Sequence, residues 1–260
     1  MWVCAYSIII IIRMNHPSHP SHYVEYEVHA SYMQVVAGDG GQFPGYAARP
    51  RLGERFPSVV LLHDWWGLNG AIRMLAVQFA QAGFYVLAPD LFDGQHAKTA
   101  RQAAALVDEM ARRRRFERVI ESLDVLEKHQ HSTRRVAVIG VGLGGGLAFR
   151  AAIQYPHREA AAVSFSGFPQ TYIGKFRACP VPVLAIYGSE DPLIPQTMVE
   201  RLRGELRASA LRDQHQVVTF EGAGHELFPE EPTDVERDTG ARAIAQAVAF
   251  LNAHLRQPQK

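Results

Sequence analysis

Arg135-Val136-Ala137-Val138-Ile139-Gly140-Val141-Gly142-Leu143-Gly144-Gly145-Gly146 is the stretch on which the fold turns. Val136 to Ile139 form an apolar run of the kind that fills a buried strand. Leu147-Ala148-Phe149-Arg150-Ala151-Ala152 behind it opens a helix. Strand, glycine-studded turn and helix together are the setting of a nucleophile elbow, G-x-S-x-G in its usual form. Such a turn needs glycines because its central residue is strained, with helix and strand crowded against it. Gly142 stands at that centre. It has no side chain with which to attack a substrate.

Outward from this stretch, apolar runs alternate with helical sequence. Val59 to Leu62 reads as a buried strand that ends at His63-Asp64-Trp65-Trp66-Gly67-Leu68-Asn69. A helix follows over Ala71 to Ala82, with Gly83 as its C′ residue. Phe84 to Ala88 is the next strand, and Thr99 to Lys128 is helical. After the elbow come strands at Ala161 to Phe165, Val181 to Tyr187 and Val217 to Phe220, with helices over Gln196 to Ala208 and Val235 to Leu255. Before all of these, Tyr23 to Val28, Tyr32 to Ala37 and the residues near Gly45 to Arg49 predict three antiparallel strands, with a turn at Gly38 to Gly41. The alternation predicts the α/β class: one domain over residues 23–260, built on a mostly parallel sheet with helices on both faces.

Composition narrows the partners. The 260 residues are 47% hydrophobic and 20% charged, with a net charge of +1, so no electrostatic footprint for nucleic acid or an anionic membrane is present. Cys4 and Cys179 give neither a disulfide framework nor a spaced metal site, and a cytoplasmic location fits that usage. Residues 1–22 read as a flexible leader. Its isoleucine run, Ile8 to Ile12, falls short of the ~20 residues that span a bilayer. Met14 offers a second start, and His16, His19 and His22 recur among Pro and Ser without a fixed geometry for metal.

In an open parallel sheet, ligands bind beyond the carboxyl ends of the strands. Asp64, Gly142, Asp191 and His225 each follow a strand end. Gly188 to Pro195 is a turn that presents Asp191, and Glu221-Gly222-Ala223-Gly224-His225 is a glycine-flanked loop that presents an imidazole. An acid in this relation orients the imidazole, and the imidazole deprotonates a nucleophile. Asp64 is also a candidate N-cap for the helix after it. Trp65 and Trp66 suit a pocket wall. Arg112 to Arg115 and Arg118, among Glu109, Glu117 and Glu121, read as a solvated helix face with i,i+4 pairs. Ser164 and Ser166 lie at a strand end but lack the elbow's strand-turn-helix setting.

From about Tyr23 to the last helix the chain resembles the dienelactone hydrolase family of the α/β-hydrolase superfamily. Four motifs carry the resemblance: His63 to Asn69, the elbow, Gly188 to Pro195, and Ala223-Gly224-His225. It implies the α/β-hydrolase fold and hydrolysis of small esters or lactones by a cysteine, aspartate and histidine triad. Asp191 and His225 match the last two members, and Gly142 stands where the cysteine would be. Asp64 takes the place of a glutamate that contacts the cysteine, one methylene shorter. The N–H groups of Leu143 and Trp65 correspond to the oxyanion hole. Arg101 matches one of two substrate-binding arginines, with Trp66 beside the substrate, while the second arginine position is Pro229. No cofactor and no metal are implied. The expected partner is a small ester, lactone or apolar ligand, bound by a monomer or small homo-oligomer. Three functions follow: water-mediated hydrolysis from a site lacking its nucleophile, non-catalytic binding of a small molecule in the same pocket, or a structural role in an assembly.

Overall fold

The computed structural model describes residues 26–155 and 160–256. The expectations for the leader, for Cys4 and for His16 to His22 lie outside the described residues. The chain runs β1 (Val28–Val36), β2 (Gln42–Pro50), β3 (Phe56–Leu62), α1 (Gly70–Gln81), β4 (Tyr85–Pro89), α2 (Ala100–Arg112), α3 (Glu117–Lys128) and β5 (Ser132–Val141). It continues with α4 (Leu143–Gln154), β6 (Ala162–Phe165), β7 (Val183–Gly188), α5 (Gln196–Arg207), β8 (Gln216–Phe220) and α6 (Asp234–Leu255). Among the described residues, no helix is long and apolar enough to cross a membrane.

The eight strands form one sheet in the order β1-β2-β4-β3-β5-β6-β7-β8. The pairs β1/β2 and β2/β4 are antiparallel, and every later pair is parallel. Because side chains alternate across a strand, neighbours in the parallel core serve opposite layers. Val59, Leu61, Ala137 and Ile139 pack with Ile72 and Leu75 of α1 and Phe250 and Leu251 of α6. Val60, Leu62, Val136 and Val138 pack on the other face with Leu106 of α2, Leu123 of α3 and Leu147 of α4. All seven β3 residues are buried, which fits the near-continuous apolar runs of a strand covered on both sides.

Two departures from the expected elements have physical causes. Among the described residues the N-terminal strands number two, since Val28 to Val36 is one continuous strand paired along its length with β2. Of the first expected strand, Tyr23 to Glu25 lie outside the described residues, and Tyr26 lies before β1, where its N–H donates to the Gln81 carbonyl. The expected long helix is split at Arg113 to Phe116, where Arg114 takes φ +53°. Arg115 causes the break. Its guanidinium is buried, donates to the Leu91 carbonyl at 3.2 Å and pairs with Asp93. Arg118 likewise reaches the Asp90 carbonyl at 2.6 Å and Asp93. These two arginines staple the helices to the loop after β4, so the arginine cluster is only partly a solvated face. The Arg113–Glu109 pair at 3.0 Å is of the expected i,i+4 kind.

Candidate active site

The strand order reverses between β3 and β5: β4 lies on one side of β3, and β6 lies beyond β5. Such a reversal opens a crevice at the carboxyl ends of the strands. Leu62 pairs with Gly140 there, so Asp64 and Gly142 leave the sheet side by side. Gly142 caps α4 with φ +52° and ψ −110°, a combination that favours glycine. Gly144 allows a second close approach. A Cβ at this position would overlap the Leu62 carbonyl and lie 2.7 Å from the His63 carbonyl oxygen. The first turn of α4 therefore presses on the end of β3, and the Leu143 N–H points at the loop that follows it.

That N–H meets Asp64. Oδ1 of Asp64 accepts from Leu143 N at 3.1 Å and from its neighbour Trp65 N at 2.6 Å. The two donors expected at an oxyanion hole thus converge on one carboxylate oxygen. A Cβ on Gly142 would overlap the same oxygen and lie 2.6 Å from Cγ of Asp64. The carboxylate fills the space that a side chain at 142 would enter. Burial pushes the Asp64 carboxyl above the usual carboxylate range, against the opposing pull of the Leu143 and Trp65 N–H groups and of His225. Asp64 does not cap α1. Asn69 does, accepting from Ile72 N at 3.1 Å.

His63 fixes the base of this loop. Its Nδ1 donates to the Asp64 carbonyl at 2.7 Å, and Nε2 accepts from Leu91 N at 3.0 Å. These roles require the neutral ring, and burial lowers its pKa accordingly.

Asp191 and His225 come together from two other strand ends. Oδ2 of Asp191 lies 2.7 Å from His225 Nδ1, while its Oδ1 accepts from Leu193 N at 2.8 Å and Ile194 N at 3.1 Å. Ties between the loops hold this pair: Gly222 N donates to Ser189 Oγ at 2.9 Å, and Glu190 N to the Ala223 carbonyl at 2.9 Å. With Nδ1 committed to the carboxylate, Nε2 is the nitrogen left for a substrate or water. Phe168 packs on the imidazole at a centroid distance of 5.4 Å.

His225, Gly142 and Asp64 share the wall of one cavity of about 520 Å³. Its family is decided by the whole of this frame, and the dienelactone hydrolase family matches residues 43–255. The chain belongs to the dienelactone hydrolase family. Among relatives of this dienelactone hydrolase family member, "Protein usf" of Aquifex pyrophilus is 28% identical over 225 residues, covering 84% of this chain and 96% of that one. A protein of Aquifex aeolicus named "Putative carboxymethylenebutenolidase" is 27% identical over 226 residues, again 84% and 96% of the two chains. The fold is also that of a solved structure from Klebsiella pneumoniae titled "Putative Dienelactone Hydrolase", with a TM-score of 0.71 and 22% identity over 86% of this chain and 98% of that one.

In this dienelactone hydrolase-like cavity, Trp66 lines the wall, and its Nε1 donates to Glu226 Oε1 at 3.2 Å. Trp65 lies behind it, 5.1 Å between ring centroids. Arg101 is exposed on α2 and is not among the lining residues, so it does not reach the cavity. The cations that do are Arg73 and Lys98, and Glu226 and Glu230 line it as well, Glu230 accepting from Gly70 N at 3.0 Å. Pro229 also lines the wall. Ser164 and Ser166 are buried away from it. Neither Arg73 nor Lys98 carries a periodic or motif signal; they arrive from α1 and from the loop before α2. Glu226 had one, as the immediate neighbour of His225.

Proposed function

We propose that this chain hydrolyses a small ester or lactone in the cavity beside Gly142, with His225 as general base and Asp191 as the group that orients and steadies it. The 2.7 Å Asp191–His225 pair on that cavity is the observation that carries the reading. His225 Nε2 takes a proton from water, and the hydroxide adds to the acyl carbon directly. Room for that water, where the family cysteine would stand, opens beside Gly142 only when the Asp64 carboxylate moves out of it. The substrate oxygen is stabilised by the N–H groups of Leu143 and Trp65 once Asp64 has withdrawn from them. Withdrawal gives up two hydrogen bonds to a charged group, each worth about 1.5–3 kcal/mol. Their loss is expected to slow the reaction roughly 10²-fold or more below one with an open hole. The relatives' names support an ester or lactone substrate, and the cysteine usage suits a cytoplasmic one.

Turnover of an aryl acetate that vanishes in His225→Ala and falls steeply in Asp191→Asn is the expected result. A folded parent protein with no turnover, but with a thermal shift on adding apolar esters, points to the second reading. In that reading the chain is a non-catalytic binder of small molecules on the same fold. The specific feature that favours it is the occupation of the two oxyanion donors by Asp64.

A further inference from the structure

Asp64 is an obstacle to acyl chemistry, yet its placement equips it for another reaction. One carboxylate oxygen, Oδ1, sits between the Trp65 and Leu143 N–H groups. The other, Oδ2, takes part in neither bond, and the residue lines the cavity that His225 also lines. No side chain at 142 stands in front of it. Attack by Asp64 on an acyl carbon would throw charge onto a substrate oxygen whose donors are already taken. Attack on a tetrahedral carbon creates no such oxyanion. The hole becomes useful in the second step, because an ester formed on Oδ2 keeps its carbonyl oxygen, Oδ1, between the two donors.

We propose that Asp64 is a nucleophile that displaces halide from a short primary haloalkane, and that His225 directs hydrolysis of the resulting alkyl-Asp64 ester. In the first step an Oδ2 lone pair forms the C–O bond as the carbon–halogen bond breaks, and the halide leaves with the bonding pair. A halide leaves without a proton, so this step calls for no acid against the leaving group. In the second step His225 Nε2 deprotonates a water that adds to Cγ of Asp64. The negative charge gathers on Oδ1, where Leu143 and Trp65 donate to it. Collapse breaks the bond from Cγ to the alkoxide oxygen, and the alkoxide takes the proton from the His225 imidazolium. The regenerated carboxyl loses its remaining proton to solvent. The sum is haloalkane plus water to alcohol plus hydrogen halide. The wall carries two cations, Arg73 and Lys98, and three carboxylates, Asp64, Glu226 and Glu230, which suits a neutral substrate over a carboxylate-bearing one.

The reaction shares His225 and Asp191 with the ester reading but needs Asp64 to stay where the ester reading needs it to leave. The test uses the full chain with 1-bromobutane. Wild-type protein is expected to release bromide continuously, and Asp64→Asn to fall by roughly 100-fold or more, to the buffer rate. His225→Gln is expected to release about one equivalent and then stop, with a butyl group on the Asp64 peptide by mass spectrometry. A single turnover of wild-type protein in heavy-oxygen water needs no variant. It is expected to give butanol with ordinary oxygen and to leave the heavy atom in Asp64. Heavy oxygen in the butanol of that single turnover, or no bromide release above buffer, overturns the proposal. Aryl acetate hydrolysis on the same preparation separates the two readings. Ester turnover without bromide release sinks this inference alone. Bromide release without ester turnover sinks the ester reading alone.

Discussion

At the scale of single residues, Gly142 and Asp64 are one unit, because a side chain at 142 has no room while Asp64 keeps its seat. A cysteine at 142 would restore the family's nucleophile in type, but its Cβ would overlap Asp64 Oδ1, at a φ of +52° that side chains avoid. Gly142→Cys alone is therefore expected to give no gain in aryl ester hydrolysis over the parent. Adding Asp64→Gly clears the overlap and frees both oxyanion donors. The double variant is expected to gain at least about tenfold, since an imidazole beside a thiol lowers its pKa and the thiolate is intrinsically nucleophilic. That gain is expected to vanish with His225→Ala, measured by stopped assays on folded protein. Asp64 also reports on stability. Burial raises its folded pKa above the unfolded ~3.9, so its contribution is fully present below that value and is lost as pH rises through the folded pKa. Asp64→Asn keeps an oxygen for the two N–H groups without the charge. Its Tm is expected to exceed the parent's at pH 8 and to lose most of that margin at pH 4, at about 2–4 °C for each kcal/mol in a chain of this size.

At the scale of elements, the joint between β3 and α4 sets the site. Gly144→Ala would drive a methyl into the Leu62 and His63 carbonyls and lift the first turn of α4 from the strand end. Overpacking of this kind costs about 1–3 kcal/mol, and it moves Leu143 N away from Asp64. The variant is expected to unfold at lower urea and to lose ester turnover. Gly146→Ala, whose Cβ would meet nothing closer than 3.7 Å, is expected to keep both. A larger loss at 146 than at 144 would contradict the packing argument. The joint also explains what could be read ahead of the structure. The central parallel strands β3, β6 and β7 were legible because burial on both faces makes them plain apolar runs. The positions of Asp64, Gly142, Asp191 and His225 were legible because each lies beyond a strand end in a short loop motif. The break at Arg113 to Phe116 was not, since arginines favour helix and only the distant Leu91 carbonyl and Asp93 reveal why Arg115 turns inward. The seat of Asp64 was hidden for a similar reason. Sequence placed it near the oxyanion donors, but only the crossing of β3 and α4 shows that it occupies them. Arg101, matched in sequence to a substrate-binding arginine, lies on the exposed side of α2.

At the scale of the molecule, the sheet is braced at two places by neutral histidines, and this sets how the whole fold responds to acid. His63 joins the end of β3 to Leu91, the second residue after β4, donating from Nδ1 and accepting from Leu91 N on Nε2. His215 stands before β8 and accepts from Val183 N of β7 on Nδ1 at 3.1 Å, with its Nε2 buried and unpartnered among the described residues. A proton on either accepting nitrogen would set N–H against N–H. Burial lowers both pKa values, that of His215 to about 4. With folded pKa values below the unfolded ~6.5, their stabilisation is fully present above pH 6.5 and is lost as pH falls through the folded values. Each ring that stays neutral while the unfolded chain takes a proton costs up to about 1.4 kcal/mol per pH unit, and half-buried His215 costs less than enclosed His63. Asp64 runs the other way, so the acid slope is their difference. His215→Gln can keep an acceptor for Val183 N without titrating. Its urea midpoint is expected to drop less than the parent's between pH 7 and pH 4.5, while m-values stay equal, as they must if the folded state is unchanged. Equal slopes in the two proteins would mean that His215 is protonated in the folded chain, and the brace between β7 and β8 would then lie elsewhere.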